Sequence, residues 1–567
     1  MATSRIDLRK ALDSGAITSV ELVSLYLHRI GYYDCRGPSP NSICVLNHIV
    51  FQEAQESDNY RASHLPRSLE GIPYTVKDSF KVKGMTVAVG SPSFSDLVSS
   101  EDAAIVKSLC EAGAILIGKT NMLRMADGGS QRGVYGRAES PYNLIYSATA
   151  FSSGSSNGCG TSTTASFAAF GLAGETVSSG RAPASNNSLV GYSPSWGVLP
   201  NRGQWPLYPT YDVIVPHTRL MRDLFDVLNV TVADDVDAAK GVDFWRNQTY
   251  VHVPKPSEVR PTDYHTLQDV ASLQGKIIAV QKCFLGVQGY EPTSFYSDSV
   301  LDLCKVTCAN LEALGATLVE TDFPILEQYT KGDFPGQSSM VPSMSKEWTP
   351  DRIHPLVAPI DDPTKHTESQ NQVRYVDVIE AVRERNGTPY TFPECEQVAK
   401  ALDATRKTLY EECMDSNGYD LVAFPTNGDV AYADADETFE SMMDALRPKY
   451  GVSKESQALL APPLTTDEIS LSPSIQETFK DVTPILTITS TTSQKDQNKS
   501  NQIRSVETNG TIETNNPNVQ VASVTAFANS QPSDAITFEG GHWSFKGRLT
   551  RPKRMERFPT PRTVPKD

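Results

Sequence analysis

The sequence predicts an α/β fold, because short apolar segments of strand length alternate with longer segments of helical periodicity after residue 68. Residues 114–118 and 275–281 are two such apolar segments, and residues 419–425 form a third that is typical of a buried strand. A chain of 567 residues exceeds one ordinary hydrophobic core, so we expect one large domain with an appended part.

Two helical segments support this prediction. Residues 5–32 carry leucines at helical spacing, and Thr18 or Ser19 is the expected N-cap. Residues 293–314 predict another helix, and the strand predicted over residues 316–321 follows it directly. This succession of helix and strand is the one that builds α/β folds.

The charge of the chain limits its partners. Its 67 acidic and 51 basic side chains give a net charge of −16, which disfavours nucleic acids and anionic membranes as partners. No apolar segment reaches the roughly 18–20 residues that cross a bilayer, so we expect no membrane span. The basic N-terminus lacks a following apolar segment and the 9 cysteines are an odd number, so we expect reduced thiols in the cytoplasm. The oligomeric state stays open, a homodimer included.

The candidate chemistry lies in two glycine- and serine-rich segments that flank small residues within 154–184. The first contains Ser155 and Ser156 and the second Ser179, whereas Lys77 ends a short apolar segment far upstream. Such segments are usually turns, and a lysine after a strand is usually solvated. Two hydroxyls and a lysine are also the parts of a nucleophile that is activated without histidine or metal.

The order and spacing of these residues resemble the amidase signature family. Residues 71–78 (G-I-P-Y-T-V-K-D), 154–158 (G-S-S-N-G) and 175–183 (E-T-V-S-S-G-R-A-P) are similar to three motifs of that family, and the two serines of the later motifs are 24 residues apart, as in the family. The resemblance covers about residues 5–230 and continues more weakly to about residue 436. It implies a mixed central sheet flanked by helices.

The resemblance also implies roles for individual residues. Lys77 would be the base, Ser155 the serine that relays the proton, and Ser179 the nucleophile that forms an acyl-enzyme. The resemblance implies that Glu175 and Arg181 form a pair that braces the loop, and that Ser130 contacts the substrate. It also implies an oxyanion site made by the backbone N–H groups of Thr176, Val177, Ser178 and Ser179.

Lysine acts as a base only in its neutral form, which at pH 7 requires a pKa well below the reference value of about 10.4. Burial lowers the pKa of a lysine by up to roughly 3–5 units. The apolar neighbours of Lys77 within residues 72–76 supply such a setting. We expect the Asp78 carboxylate to point away from the amine, because adjacent residues of a strand alternate between faces.

Several positions depart from the usual family pattern. Val177 and Ser178 stand where the family has glycine, so a requirement for positive φ there would strain the valine. Gly180 replaces a bulky apolar residue, Asn157 a glycine, and Arg124 an acidic residue. These departures keep open a catalytically degenerate scaffold or binding protein.

A competing motif overlaps the first serine segment. Residues 154–158 satisfy G-x-S-x-G, the nucleophile elbow of α/β-hydrolases, with Ser156 as the nucleophile. This alternative recruits a later aspartate and histidine, for which Asp534 and His542 are candidates. It needs a strand immediately before the elbow, and residues 142–153 do not form a clean apolar segment.

The resemblance becomes unrecognisable after about residue 437, and the sequence then changes to the alternating pattern of β-strands. We expect a catalytic domain over residues 1–461, a linker over 462–480 and a small immunoglobulin-like β module over 481–550. The alternative for the β module is a polar low-complexity segment. Residues 551–567 are basic and rich in proline, which is typical of an extended tail.

The predicted function is a serine hydrolase that cleaves a small-molecule carboxylic amide to acid and amine through an acyl-enzyme on Ser179, with esters or carbamates as further substrates. The predicted enzyme class is therefore a hydrolase that acts on C–N bonds other than peptide bonds. The sequence indicates no cofactor and no metal site, because the histidines are scattered and C-x-x-C is missing. Besides the degenerate scaffold, a subunit of an amide-transferring complex remains an alternative, since the family includes such subunits.

Overall fold

The fold is known from a computed structural model. The structure describes residues 5–126, 133–149, 153–207, 209–268, 272–282, 285, 296–323 and 393–430. The predicted linker, β module and tail, together with Ser130, Asp534 and His542, lie outside the described residues.

The described residues form two sheets. Their strands are β1 (Ile43–Leu46), β2 (Pro73–Lys77), β3 (Ile115–Thr120), β4 (Phe170–Glu175), β5 (Val190–Gly191), β6 (Val213–Thr218), β7 (Ile277–Gln281), β8 (Thr317–Thr321) and β9 (Leu421–Ala423). The larger sheet has six strands in the order β1-β3-β2-β4-β6-β5. Strands β3, β2 and β4 are parallel, whereas β1 runs antiparallel to β3 and β6 runs antiparallel to β4 and β5, so the sheet is mixed as the resemblance implies. The second sheet has three parallel strands in the order β8-β7-β9.

Helices cover both sheets. They are α1 (Arg5–Asp13), α2 (Ser19–Tyr33), α3 (Val50–Ser63), α4 (Ala104–Glu111), α5 (Asn157–Thr164), α6 (Arg181–Asn186), α7 (Met221–Thr231), α8 (Phe244–Asn247), α9 (Pro256–Val259), α10 (Asp298–Ala313), α11 (Pro393–Thr405) and α12 (Glu412–Asn417). None of the described helices combines the length and the apolar character that a membrane crossing requires.

The two faces of the larger sheet carry different side chains, because successive residues of a strand alternate. On one face Tyr74 and Val76 are fully buried in the main apolar core, to which α2, α4 and α7 also contribute. On the opposite face Thr75 approaches Ser162 of α5, with 3.5 Å between the two hydroxyl oxygens. Lys77 shares this second face, so β2 presents its lysine towards α5 and the loop before it.

Residues 5–32 form two helices with a break at a glycine. Helix α1 ends at Asp13, and Gly15 adopts a positive φ of 70°, which glycine tolerates without strain. Helix α2 begins with a capping box, in which the Thr18 side chain accepts from Glu21 N and the Glu21 side chain accepts from Thr18 N. Of the two predicted candidates, Thr18 is therefore the N-cap.

The other predicted elements are confirmed with adjusted ends. The segments at 114–118, 275–281 and 316–321 form β3, β7 and β8, and the third apolar segment contains β9. The predicted helix over 293–314 is α10, which follows Ser297, whose hydroxyl accepts from Val300 N. Local signals therefore locate the elements of this fold well.

Candidate active site

Lys77 is the last residue of β2, and its side chain is buried with 3% of its surface exposed. Its Nζ atom donates hydrogen bonds to Ser155 Oγ at 2.7 Å and to the Gly174 carbonyl oxygen at 3.2 Å. Ser155 is itself fully buried in the loop before α5. The structure therefore brings the predicted base and the predicted relay serine into direct contact.

Burial lowers the pKa of Lys77 from 10.5 to about 7, because the ammonium form loses its hydration in this setting. Cys159, Asp212 and Glu175 act in the opposite direction, but burial is the largest influence. A base works best when its pKa lies near the working pH. The Lys77 amine thus meets the electrostatic condition for taking a proton from a hydroxyl.

Asp78 does not face Lys77, because a second buried lysine holds it. Lys119 of β3 lies with its Nζ 3.2 Å from Asp78 Oδ1, and both side chains are completely buried. Asp78 Oδ2 also accepts from Gly90 N at 3.0 Å. Burial raises the pKa of Asp78 and lowers that of Lys119, whereas the mutual attraction opposes both shifts. The expected orientation of Asp78 is confirmed, and Lys119 is a residue that sequence reasoning missed.

We predict that Lys119→Met destabilises the fold by about 3–5 kcal/mol, because it leaves the Asp78 carboxylate buried without its counter-charge. The double variant Asp78→Asn/Lys119→Met is expected to recover much of that loss. The measurement is the unfolding midpoint in urea. Lys81→Met is the matched control, since Lys81 and Glu101 form an exposed pair whose loss changes stability by less than about 1 kcal/mol. Equal destabilisation by the single and double variants would contradict the assignment.

The loop that carries Ser155 requires a glycine. The peptide bond between Gly154 and Ser155 is cis, and Gly154 has a φ of 124°. A Cβ at Gly154 would lie 2.7 Å from Asn157 Oδ1 and 2.8 Å from Leu123 Cδ1, both closer than real side chains approach. The glycine of the G-x-S motif is therefore fixed by conformation and by space.

Ser156 joins the two serine-rich loops. Its N–H donates to the Ser179 carbonyl oxygen at 3.2 Å, and its Oγ donates to the Gly174 carbonyl oxygen at 3.0 Å. The nucleophile-elbow alternative requires a strand just before this serine, but the described residues 140–149 and 153–156 contain no strand. The Ser156 hydroxyl acts here as a structural donor.

Ser179 lies in the loop between β4 and α6, with 7% of its surface exposed. Within the described part of the chain, two hydrogen bonds link the loops, one from Ser156 N to the Ser179 carbonyl oxygen and one between the Ser153 and Ser178 hydroxyls at 2.8 Å. No hydrogen bond joins the Ser155 and Ser179 hydroxyls. Catalytic hydrogen bonds often tighten only when substrate binds. The Ser179 backbone thus contacts the residue that follows Ser155, while the hydroxyls of Ser155 and Ser179 are not joined.

The loop before Ser179 leaves amide donors unused. Among the described residues, the backbone N–H groups of Val177, Ser178 and Ser179 donate to no protein acceptor. Val177 and Ser178 both lack positive φ, so the absence of the two family glycines introduces no left-handed strain. The Val177 side chain is 63% exposed. These amides are the groups from which an oxyanion site can be built.

The predicted pair of Glu175 and Arg181 is formed and closes this loop at its base. Glu175 Oε1 accepts from Arg181 Nε at 2.7 Å and from Ser193 Oγ at 2.8 Å. Glu175 Oε2 accepts from Gly180 N at 3.1 Å and from Arg181 N at 2.8 Å. A single carboxylate therefore bonds to both residues that follow Ser179.

Asp212 holds the other end of the loop and was not anticipated from the sequence. It directly precedes β6 and is buried. Thr176 Oγ1 donates to Asp212 Oδ1 at 2.6 Å, and Leu207 N donates to Asp212 Oδ2 at 2.8 Å. The contact between Thr176 and Asp212 follows from the pairing of β4 with β6, in which Glu175 lies opposite Val213. No local sequence motif predicts it.

A comparison with models of known protein families shows to which family this chain belongs. The model of the Amidase family matches residues 21–444. The chain belongs to the amidase signature family. The match begins later than the resemblance described above and extends a little beyond its end at about residue 436.

Relatives of this amidase signature chain include subunits of glutamyl-tRNA(Gln) amidotransferase. The subunit from Endomicrobium trichonymphae is 33% identical over 220 residues, which are 38% of this chain and 44% of the relative. The subunit from Exiguobacterium sibiricum is 30% identical over 320 residues, which are 56% of this chain and 60% of the relative. The chain thus spans about half to three fifths of the length of these curated relatives.

Solved amidase structures share the fold. The peptide amidase of Stenotrophomonas maltophilia has a TM-score of 0.59 at 22% identity, with 77% of this chain and 88% of that chain covered. A bacterial aryl acylamidase of the amidase signature family has a TM-score of 0.58 at 19% identity, with 76% and 80% covered. At these identities the likeness concerns the fold.

Two sequence predictions remain for the amidase signature site. Ser130, the predicted substrate contact, lies outside the described residues and stays a prediction. Within the described ranges no group of three or more His, Cys, Asp or Glu side chains is arranged to hold a metal ion. Cys304 and Cys308 are half-buried thiols on α10.

Proposed function

We propose that this chain hydrolyses a carboxylic amide to acid and amine, with Lys77 as the base, Ser155 as the relay and Ser179 as the nucleophile. The observation that carries the proposal is the 2.7 Å hydrogen bond between the buried Lys77 amine and Ser155 Oγ. The lowered pKa of Lys77 supports it, because a neutral amine accepts a proton readily. The contact from Ser156 N to the Ser179 carbonyl oxygen supports the nearness of the third member.

In the proposed reaction, neutral Lys77 accepts a proton from Ser155 as Ser155 accepts one from Ser179. Ser179 Oγ forms a bond to the amide carbonyl carbon, and the negative charge develops on the carbonyl oxygen. The free N–H groups of residues 177–179 would bind that oxygen, and each such donor typically contributes about 3–4 kcal/mol to the transition state. The proton returns through Ser155 to the leaving nitrogen, the C–N bond breaks, and water then hydrolyses the acyl-enzyme.

The test is a hydrolysis assay on the full chain. The panel contains aryl amides, primary amides, peptide amides, and the matching aryl esters and carbamates, and both products are quantified. Amide turnover with equal amounts of acid and amine supports the proposal, and its distribution over the panel decides between small-molecule and peptide amides. A chain that turns over no substrate and does not react with a fluorophosphonate is the degenerate scaffold instead.

An amide-transferring role is the second candidate, and the similarity to glutamyl-tRNA(Gln) amidotransferase subunits favours it. Such a role predicts release of ammonia from glutamine in the presence of a stoichiometric partner, and little hydrolysis of simple amides without it. We place simple hydrolysis first, because the base and the relay both belong to this chain and lie in direct contact. Glutamine hydrolysis with and without co-purified proteins separates the two candidates.

The pH dependence of kcat/KM is expected to show one acidic limb near pH 7. The base must be neutral, so activity falls about tenfold per pH unit below the pKa of Lys77, which is about 7, and levels off above it. The measurement uses a neutral substrate between pH 5.5 and 8.5. His217, whose pKa is about 4, does not titrate in this range. A flat profile, or a rate that falls as pH rises to 8, would contradict the role of Lys77.

A further inference from the structure

The loop 176–180 and α6 pass over one face of β6. Strands β4 and β5 lie on opposite sides of β6, so the chain that connects them must cross it. Side chains of a strand alternate, and Val213, Val215 and His217 therefore project from a common face of β6. Two observations place this face directly beneath Gly180, the residue that follows Ser179.

The first observation is the close approach of Gly180 to Val215. A Cβ at Gly180 would lie 2.5 Å from Val215 Cγ2, 2.6 Å from its Cβ and 2.8 Å from its Cγ1. The φ of Gly180 is −93°, which any residue can adopt. Glycine is needed at this position for space and not for conformation, and the backbone rests directly on the valine.

The second observation is a buried histidine with one short contact. His217 has no exposed surface, and its Nε2 lies 2.8 Å from the Gly180 carbonyl oxygen. A carbonyl oxygen only accepts, so Nε2 carries the proton. Its Nδ1 has no hydrogen-bond partner among the described residues. Burial lowers the pKa of His217 to about 4, so the ring is neutral at physiological pH.

We propose that His217 is a positioning residue that donates from Nε2 to the Gly180 carbonyl, holds Gly180 against Val215 and thereby fixes Ser179 relative to Ser155. The inference rests on the proposed function, because it assigns a supporting role in the same reaction. Glu175 holds Gly180 from its N–H side. The Gly180 carbonyl oxygen accepts from His217 Nε2 at 2.8 Å and, at longer range, from Ala184 N of α6 at 3.3 Å. A misplacement of a reacting atom by about 1 Å can lower a rate by about 100-fold.

The first experiment compares two variants of the full chain. His217→Met keeps the volume and removes the donor, whereas His217→Gln retains an N–H at a similar reach. We expect His217→Met to lower kcat by about 10- to 100-fold with KM little changed, and His217→Gln to restore a large part of that kcat. The second-order rate of fluorophosphonate labelling is expected to follow kcat. Equal kcat in the two variants overturns the role of His217.

The second experiment tests the contact with Val215. Gly180→Ala is expected to lower kcat, since the new methyl group displaces the backbone beside Ser179. Gly180→Ala/Val215→Ala opens that space, so it is expected to be more active than Gly180→Ala alone, with Val215→Ala as the reference. A double variant no more active than Gly180→Ala contradicts the proposed support. Unfolding midpoints of all variants separate loss of position from loss of stability.

A spectroscopic readout is independent of activity. In protein labelled with ¹⁵N-histidine, the His217 signals, assigned by their loss in His217→Gln, should show Nε2 protonated, Nδ1 unprotonated, and no titration between pH 8 and pH 5.5. A protonated Nδ1, or titration near the ordinary value of about 6.5, overturns the hydrogen bond. If the wild-type chain neither hydrolyses amides nor reacts with the fluorophosphonate, the proposed function itself is overturned. If the wild-type chain is active and the His217 variants have the same kcat as the wild type, only the His217 inference is overturned.

Discussion

Replacing Ser179 with alanine is expected to lower kcat for amide hydrolysis by at least about 10⁴-fold, because the acyl-enzyme then has no oxygen on which to form. Residual turnover would come from the amide donors of residues 177–179 and from substrate binding alone. The measurement is kcat on the best amide of the panel. Fluorophosphonate labelling followed by peptide mass spectrometry should place the label on Ser179 in the wild type, and Ser179→Ala should remain unlabelled.

Two further serine variants make this result specific. Ser185→Ala removes a hydroxyl from α6 that has no assigned role, and it is expected to retain activity and label. Ser156→Ala tests the nucleophile-elbow alternative, since the label must disappear if Ser156 is the nucleophile. It is expected to persist on Ser179, although the loss of the bond to the Gly174 carbonyl lowers the labelling rate. A label found on Ser156, or full activity in Ser179→Ala, would refute the mechanism.

Lys77→Met is expected to lower kcat by about 10²–10⁴-fold and also to stabilise the fold below pH 7. The folded-state pKa of Lys77 is about 7 and the unfolded value is 10.5, so keeping this lysine charged in the fold costs about 4–5 kcal/mol. Methionine removes that cost. It also removes hydrogen bonds to Ser155 and Gly174, each worth about 0.5–1.5 kcal/mol, so a net gain of roughly 1–4 kcal/mol remains.

The sign of the pH dependence follows from proton counts. Between pH 7 and 10.5 the unfolded chain holds a proton on Lys77 that the folded chain has released, so the wild type gains stability as pH rises. The advantage of Lys77→Met should therefore shrink by about 1.4 kcal/mol per pH unit above pH 7. Urea unfolding of both proteins at pH 6 and pH 9 measures this change in the stability difference. Lys81→Met, which replaces an exposed lysine, is the control and should show no such trend. A pH-independent difference would mean that Lys77 stays charged.

Much of the fold and of the site could be predicted from the sequence, because the signals are local. The capping box at Thr18 depends on residues three positions apart, and strands β3 and β7 are short apolar segments with clear ends. Lys77 and the two serines follow from the family motifs, and the buried setting of Lys77 follows from its apolar neighbours within β2. Alternation between faces also predicts that Asp78 points away from the Lys77 amine.

The supporting contacts could not be predicted, because they join residues that are distant in the chain and carry no motif. Lys119 and Asp78 are 41 positions apart, Asp212 and Thr176 are 36 apart, and His217 and Gly180 are 37 apart. Each contact depends on which strands are neighbours in the sheet, and periodicity does not encode that order. Whether residue 177 requires glycine likewise depends on its backbone conformation. Val177 has no positive φ, so glycine is not required there.

The ordinary backbone at Val177 and Ser178 has a consequence for how this loop can vary. Since neither position demands glycine, both side chains can change by single substitutions while the backbone amide groups keep their direction. Here the loop presents an isopropyl group, 63% exposed, followed by a hydroxyl. If residues 177–179 bind the oxyanion as proposed, the side chains beside the reacting carbonyl can vary without altering that site.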